Sequence, residues 1–159
     1  MSKLLLNTIK TSVKLNKTYV HTIKNFGFDN IPKHIISELY KDGRYFSHVS
    51  EQWIEENYPL RTIYGCQKFD FQDIKYPETF YEAKTFTKYG CNFRSSFMKG
   101  TGRVFNDNLF QIHTKNAVFC IISNVNFPEI RVKFISGVDL LNLYPSGIIS
   151  YTHFYNFFY

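Results

Sequence analysis

The run AVFCIISNV, residues 117–125, does most to restrict what this chain can become. A strand points successive side chains to opposite faces, so a continuous apolar run needs cover on both. A strand of that kind belongs inside a sheet with helices packed against it. Together with the order of the other elements, it predicts an α/β or α+β fold. The segment EIRVKFISG (129–137) alternates Ile130, Val132 and Phe134 with Arg131 and Lys133, which predicts a half-buried strand with the two cations on its wet side. LRTIYGCQKFDFQDI (60–74) and TFYEAKTFT (79–87) are aromatic and β-branched and flank the turn signal KYPE, which predicts an antiparallel hairpin.

Helical signals surround these strands. IPKHIISELYKDG (31–43) has Pro32 at its start and Gly43 just past its end. SHVSEQWIEENYP (47–59) predicts a second helix, capped by Ser47 or Ser50, stopped before Pro59 and turning Trp53 to the core. VDLLNLY predicts a short helix before Pro145. Residues 4–26 set Leu6, Ile9, Val13, Val20 and Ile23 at three and four spacings, with Lys3, Lys10, Lys17 and Lys24 on another face. That predicts an amphipathic helix ending at Gly27, although its Thr and Val residues lose χ1 freedom in a helix and Asn16 invites a break. NFRSSFMKGTGRVF (92–105) mixes a short helix with a glycine-bounded loop. The tail SYTHFYNFFY, with six aromatics between Tyr151 and Tyr159, suits the core or a homodimer interface, and its rings could also stack on bases.

With 159 residues and no linker or repeat, the expectation is one domain over 1–159: a helical, basic part over 1–58 and a sheet core over 60–135. The start, MSKLLLNTIKTSVK, matches neither a signal peptide nor a membrane span, so a soluble, cytoplasmic protein without a membrane partner is expected. Cys66, Cys91 and Cys120 fit no zinc spacing and, being odd in number, no disulfide framework. The five histidines form no zinc-hydrolase pattern, and His113 and His153 read as incidental. Net charge is +6, and the excess of +5 sits in residues 1–50, a field suited to nucleic acid.

Phosphodiester hydrolysis assisted by a metal needs carboxylates for the cation and an ammonium near the attacking water. Glu82-Ala83-Lys84 supplies an acid and a lysine two apart, hence on one strand face, with Ala83 turned to the other. With 13 acids and 14 lysines, chance alone supplies about one such triplet, so context must decide. The rival Asp73-Ile74-Lys75 has Asp70 only on its own predicted strand, and the next Asp upstream is Asp42. Glu82 has Asp70: in a hairpin turning about Tyr76 the two face each other, as do Lys68 and Lys84. Asp73 has the opposite parity, and a bulge or one-residue shift of the turn would swap it for Asp70.

Asp70, then Glu82-Ala83-Lys84 on the next strand, then a polar helix or loop and a buried strand, resembles the PD-(D/E)XK nuclease superfamily over roughly residues 45 to 135. The resemblance implies a restriction-endonuclease-like central mixed β-sheet flanked by helices, acting on DNA with Mg²⁺, or Mn²⁺ as substitute. It implies Asp70 and Glu82 as metal ligands and Lys84 as the catalytic lysine. Members often add an acid from the preceding helix, here Glu51, Glu55 or Glu56; Glu55 and Asp73 are the extra metal candidates carried forward. Phe69 stands where the family's name has proline. Lys10, Lys17, Arg94, Lys99 and Arg103 are the expected contacts to nucleic-acid phosphates, with Gly100 and Gly102 allowing close backbone approach. Three alternatives stand beside this. The trio is a cross-strand ion cluster worth ~0.2–1 kcal/mol, the chain is a non-catalytic nucleic-acid binder, or it assembles through its aromatic tail.

Overall fold

The computed structural model describes residues 10–27, 29–65, 68–98 and 102–159. Its centre is a six-stranded mixed sheet of β1 (Thr18–Thr22), β2 (Leu60–Thr62), β3 (Phe71–Asp73), β4 (Phe80–Phe86), β6 (Val118–Ser123) and β7 (Glu129–Ser136). The spatial order is β1-β7-β6-β4-β3-β2, with β5 (Cys91–Asn92) and β8 (Ile148–Ile149) paired separately. β6, the apolar run, lies parallel to β4 and antiparallel to β7. It has the double cover its composition demands. Phe119 and Ile121 enter one core with Phe86, Phe110, Leu140 and Phe157. Cys120 and Ile122 enter another with Phe46, Ile54, Val132 and Phe134.

Among the described residues, five α-helices supply that cover: α1 (Lys33–Lys41), α2 (Gly43–Asn57), α3 (Asp107–Lys115), α4 (Gly137–Leu143) and α5 (Phe154–Phe158). α2 buries Phe46, Ser50 and Ile54, four apart and so on one stripe. Its cap is Asp42, whose side chain accepts from the Arg44 N–H, whereas Ser47 and Ser50 lie inside the helix. Trp53 is half-buried against the second core. α3, unforeseen in the sequence, is capped by Asn106 accepting from the Leu109 N–H and buries Phe110, His113 and Thr114.

Three expectations change. Residues 10–26 form no helix: Thr18–Thr22 runs antiparallel to β7, Val20 points to solvent and Tyr19 is buried. The β-branched residues that weaken a helix suit a strand, and β7 had an edge to fill. The expectations for residues 1–9, including Lys3, Leu6 and Ile9, fall outside the described residues, as do those for Cys66, Lys99 and Gly100. The stretch 60–74 is not one strand. β2 and β3 pair with each other, Leu60 opposite Asp73, and a loop joins them. Finally, β7 alternates as expected, with Ile130, Val132 and Phe134 buried, but Arg131 and Lys133 are only partly exposed: the tail lies over them, with Lys133 Nζ donating to the Phe157 carbonyl at 2.6 Å and Arg131 set 4.1 Å from the Tyr159 ring centre.

Candidate active site

The hairpin of β3 and β4 builds the site. Its register pairs Phe71 with Tyr81 and Gln72 with Phe80, the turn symmetry expected from the sequence. The ladder then stops. The Asp70 N–H still reaches the Tyr81 carbonyl at 3.0 Å, but Asp70 Oδ2 accepts from the Ala83 N–H at 2.7 Å, where a further backbone carbonyl would have been. Asp70 is therefore held beside Glu82 by its own side chain. Ala83 packs on the second core, so Glu82 and Lys84 share the opposite face.

That face is enclosed. Glu82 is 7% exposed, and the Lys84 side chain 15%. Lys84 Nζ donates to Glu82 Oε1 at 2.7 Å. His113 of α3, 3% exposed, brings Nε2 to 3.9 Å from Glu82 Oε2. Burial disfavours the Glu82 charge, but the His113 imidazole and the Lys84 ammonium outweigh it and hold the carboxyl below its usual range. Asp70 goes the other way, pushed up to about 6 by burial and then by Glu82, against the Ala83 N–H and Lys84. Neighbouring carboxyls driven apart in this manner occur at acid–base and cation-binding sites and in structural ion-pair networks. Phe69, at the proline position, stacks on the His113 ring at 4.8 Å and on Phe80 at 5.3 Å, walling the site.

The other expected residues divide by location. Glu51, on α2, interacts electrostatically with both Glu82 and Lys84; partial desolvation pushes its carboxyl up. Glu55 is engaged elsewhere, accepting from Thr62 N–H and Oγ1 at 3.0 and 2.9 Å. Asp73 accepts from the Lys75 and Tyr76 N–H groups and from the Tyr81 hydroxyl, so it ties down the hairpin turn. Lys10 donates to the Glu55 carbonyl, Lys17 lies over the Tyr19 ring, Arg94 donates to the Ser146 carbonyl and Arg103 to the Ser96 carbonyl. All four lie in loops, and none of these contacts is to Glu82 or Asp70.

His113 is the site residue that pattern reading passes over. The available signal was Asn106 as a cap followed by Phe110, His113 and Thr114 at helical spacing. Among the described residues no three His, Cys, Asp or Glu side chains converge as a ready metal cage. Mg²⁺, however, binds through one or two carboxylates and keeps several waters. Asp70 and Glu82, two neighbouring carboxyls, offer oxygen donors of the kind such a site uses. Compared with protein-family models, curated proteins and solved structures, the chain matches none.

Proposed function

We propose that the chain is a nuclease of the PD-(D/E)XK kind, hydrolysing phosphodiester bonds of DNA with Mg²⁺. The observation that carries this is the buried Glu82–Lys84 pair beside Asp70, on a hairpin followed by α3 and by β6 parallel to β4. A buried ion pair is weak as a stabilising device, because desolvation offsets most of the attraction. Three ionisable groups gathered where a strand ladder ends are better accounted for by chemistry.

In this assignment Asp70 and Glu82 would hold the cation, with Glu51 the helix glutamate that interacts electrostatically with both. Bound Mg²⁺ supplies a polarised phosphate and a more acidic water. Lys84, next to Glu82, would orient the attacking water and neutralise charge on the phosphate. His113 and Phe69 keep the Glu82 side chain in one orientation and exclude bulk water from its inner side.

Plasmid DNA incubated with the purified protein and Mg²⁺ or Mn²⁺ tests the assignment. Glu82→Ala and Lys84→Ala should each lower cleavage by about 10²-fold or more. Cleavage undiminished in Glu82→Ala would overturn it. Binding of DNA without cleavage in any metal would favour the non-catalytic alternative.

A further inference from the structure

We propose that a pocket beside Glu82 takes an unpaired nucleobase next to the phosphodiester to be cut. This deepens the nuclease proposal and rests on it for the class of occupant. The pocket encloses about 340 Å³ between Ile63, Lys68, Phe69, Gln72 and Phe80. Sheet register fixes its place. Phe80 and Glu82 are two apart on β4, so they share a face and stand about 7 Å from one another along the strand. Gln72 lies opposite Phe80, and Arg61 opposite Gln72. Ile63, just past β2, donates its N–H to the Asp70 carbonyl at 2.9 Å. The pocket floor is therefore the row of side chains next to Asp70 and Glu82 on one sheet face.

Phe69 is the wall that the pocket shares with the site. Its ring lies 4.8 Å from that of His113 and 5.3 Å from that of Phe80, at interplanar angles of 20° and 22°. The three rings form one near-parallel column. It is buried at His113, beside Glu82, and half-buried at Phe80, where it meets the pocket. A flat ring covers the end of such a column face to face, whereas a branched aliphatic chain leaves part of it bare. Another side is fixed in advance. Gln72 Oε1 accepts from Arg61 Nη2 at 2.7 Å, and Gln72 Nε2 donates to the Pro77 carbonyl at 2.7 Å. An amide held at both ends needs no ordering when a ligand arrives.

Charge decides what kind of flat ring fits. Among the described residues the lining holds no carboxylate, and its one charged member is the exposed Lys68. No ion pair among the described residues engages Lys68. Arg61, also exposed, adds a second cation beside Gln72. An apolar, aromatic pocket with cations at its margin complements a flat ring that carries an anion. A nucleotide is such a ligand, and in the proposed reaction the neighbouring Glu82–Lys84 pair acts on its phosphodiester.

Size decides the state of the base. The volume is near the lower end of ligand pockets, roughly 300–1,000 Å³, and admits one base but not a base pair within a helix. A base in a duplex is stacked on both faces and paired along its edge, so it must leave the helix to enter, at a cost in free energy. A single strand escapes most of that cost. The expected substrate class is consequently DNA with an unpaired base next to the scissile phosphate.

The test uses a 12-nucleotide thymidine strand with 2-aminopurine at every third position, alone and as its perfect duplex, titrated in EDTA and in Ca²⁺ across a salt series. The fluorescence of 2-aminopurine falls when its ring stacks. The single strand should bind at least tenfold tighter than the duplex and be quenched on binding. Phe80→Leu keeps an apolar side chain but removes the flat ring; it should weaken single-strand binding about 5–50-fold and abolish the quenching. Lys68→Gln should reduce the salt slope by about 0.7, one phosphate's share. Melting curves establish that the variants remain folded, and Lys68, being exposed, keeps the test decisive if the Phe80 variant does not. No binding in either condition, duplex binding as tight as single-strand binding, no quenching, or wild-type behaviour in the folded variants overturns the pocket. Cleavage is read separately with Mg²⁺. Quenched binding that the variants lose, with no cleavage by wild type, leaves the pocket standing and removes the nuclease assignment; cleavage of the single strand that the variants leave unchanged does the reverse.

Discussion

Asp70 concentrates the chemistry of the site into one titration. Its carboxyl is pushed from an ordinary 3.8 up to about 6. A raised acid favours the folded state while protonated. That contribution is complete below about pH 4 and is lost as pH rises through about 6. Asp70→Asn keeps an oxygen for the Ala83 N–H and removes the charge beside Glu82. The variant should therefore be more stable than wild type at pH 8, by on the order of 2 kcal/mol after allowing for residual solvent contact, with the gap closing towards pH 4. Melting temperatures across that range measure it, and an Asp70→Asn variant less stable than wild type at pH 8 would falsify the electrostatic account. If Asp70 and Glu82 hold a cation, millimolar Mg²⁺ or Mn²⁺ should raise the melting temperature of wild type at pH 8 but not of Asp70→Asn, because a ligand stabilises only the state that binds it. An equal shift in both proteins would place the cation elsewhere.

At the scale of elements, the site depends on where α3 docks. Gly137 opens α4 directly against the end of α3: a Cβ there would fall 1.7 Å from the Thr114 carbonyl oxygen and 3.0 Å from that of Ala117. Backbone atoms cannot swing aside as a flexible side chain can. Gly137→Ala should thus force the two helices apart, costing about 3 kcal/mol, roughly 6–12 °C of melting temperature for a chain of this size. Since Thr114 adjoins His113, the same substitution should also cut cleavage at temperatures where the protein stays folded, if the chain is the proposed nuclease. A melting temperature unchanged to within about 1–2 °C would mean that α3 and α4 tolerate separation.

For the whole molecule, the aromatic tail is part of the core. Phe154, Phe157 and Phe158 are buried around Phe86, while Tyr151, Tyr155 and Tyr159 face outward. Each buried Phe removed costs about 3–5 kcal/mol, and three together match the total stability of a typical domain. Deleting residues 151–159 should accordingly abolish cooperative unfolding by circular dichroism. A truncated chain that still melts cooperatively and merely changes its elution volume would make the tail an assembly device instead. No helix among the described residues is long and apolar enough to cross a membrane.

Some of this was legible in the residues themselves. The apolar run 117–125 required a strand covered on both faces, and β6 is that strand. Turn chemistry about Tyr76 set the β3–β4 register, and with it the Asp70–Glu82 neighbourhood. Prolines and caps bounded α1 and α4 closely, because these signals act within a few residues. Contacts between distant segments were not legible. A period of three or four in residues 10–26 yielded to a strand because β7, over a hundred residues away, had an unpaired edge. Arg131 and Lys133 alternate as a wet face would, yet the C-terminal tail partly covers them. His113 and Glu51 reach Glu82 only through helix docking, and nothing local separates Glu51 from Glu55. By itself the sequence determined which segments form the hairpin and buried strand, and which triplet they carry, since local periodicity records how each segment meets a core. Tertiary structure alone decided what covers each face and which charges meet there, since burial and pairing depend on partners far along the chain.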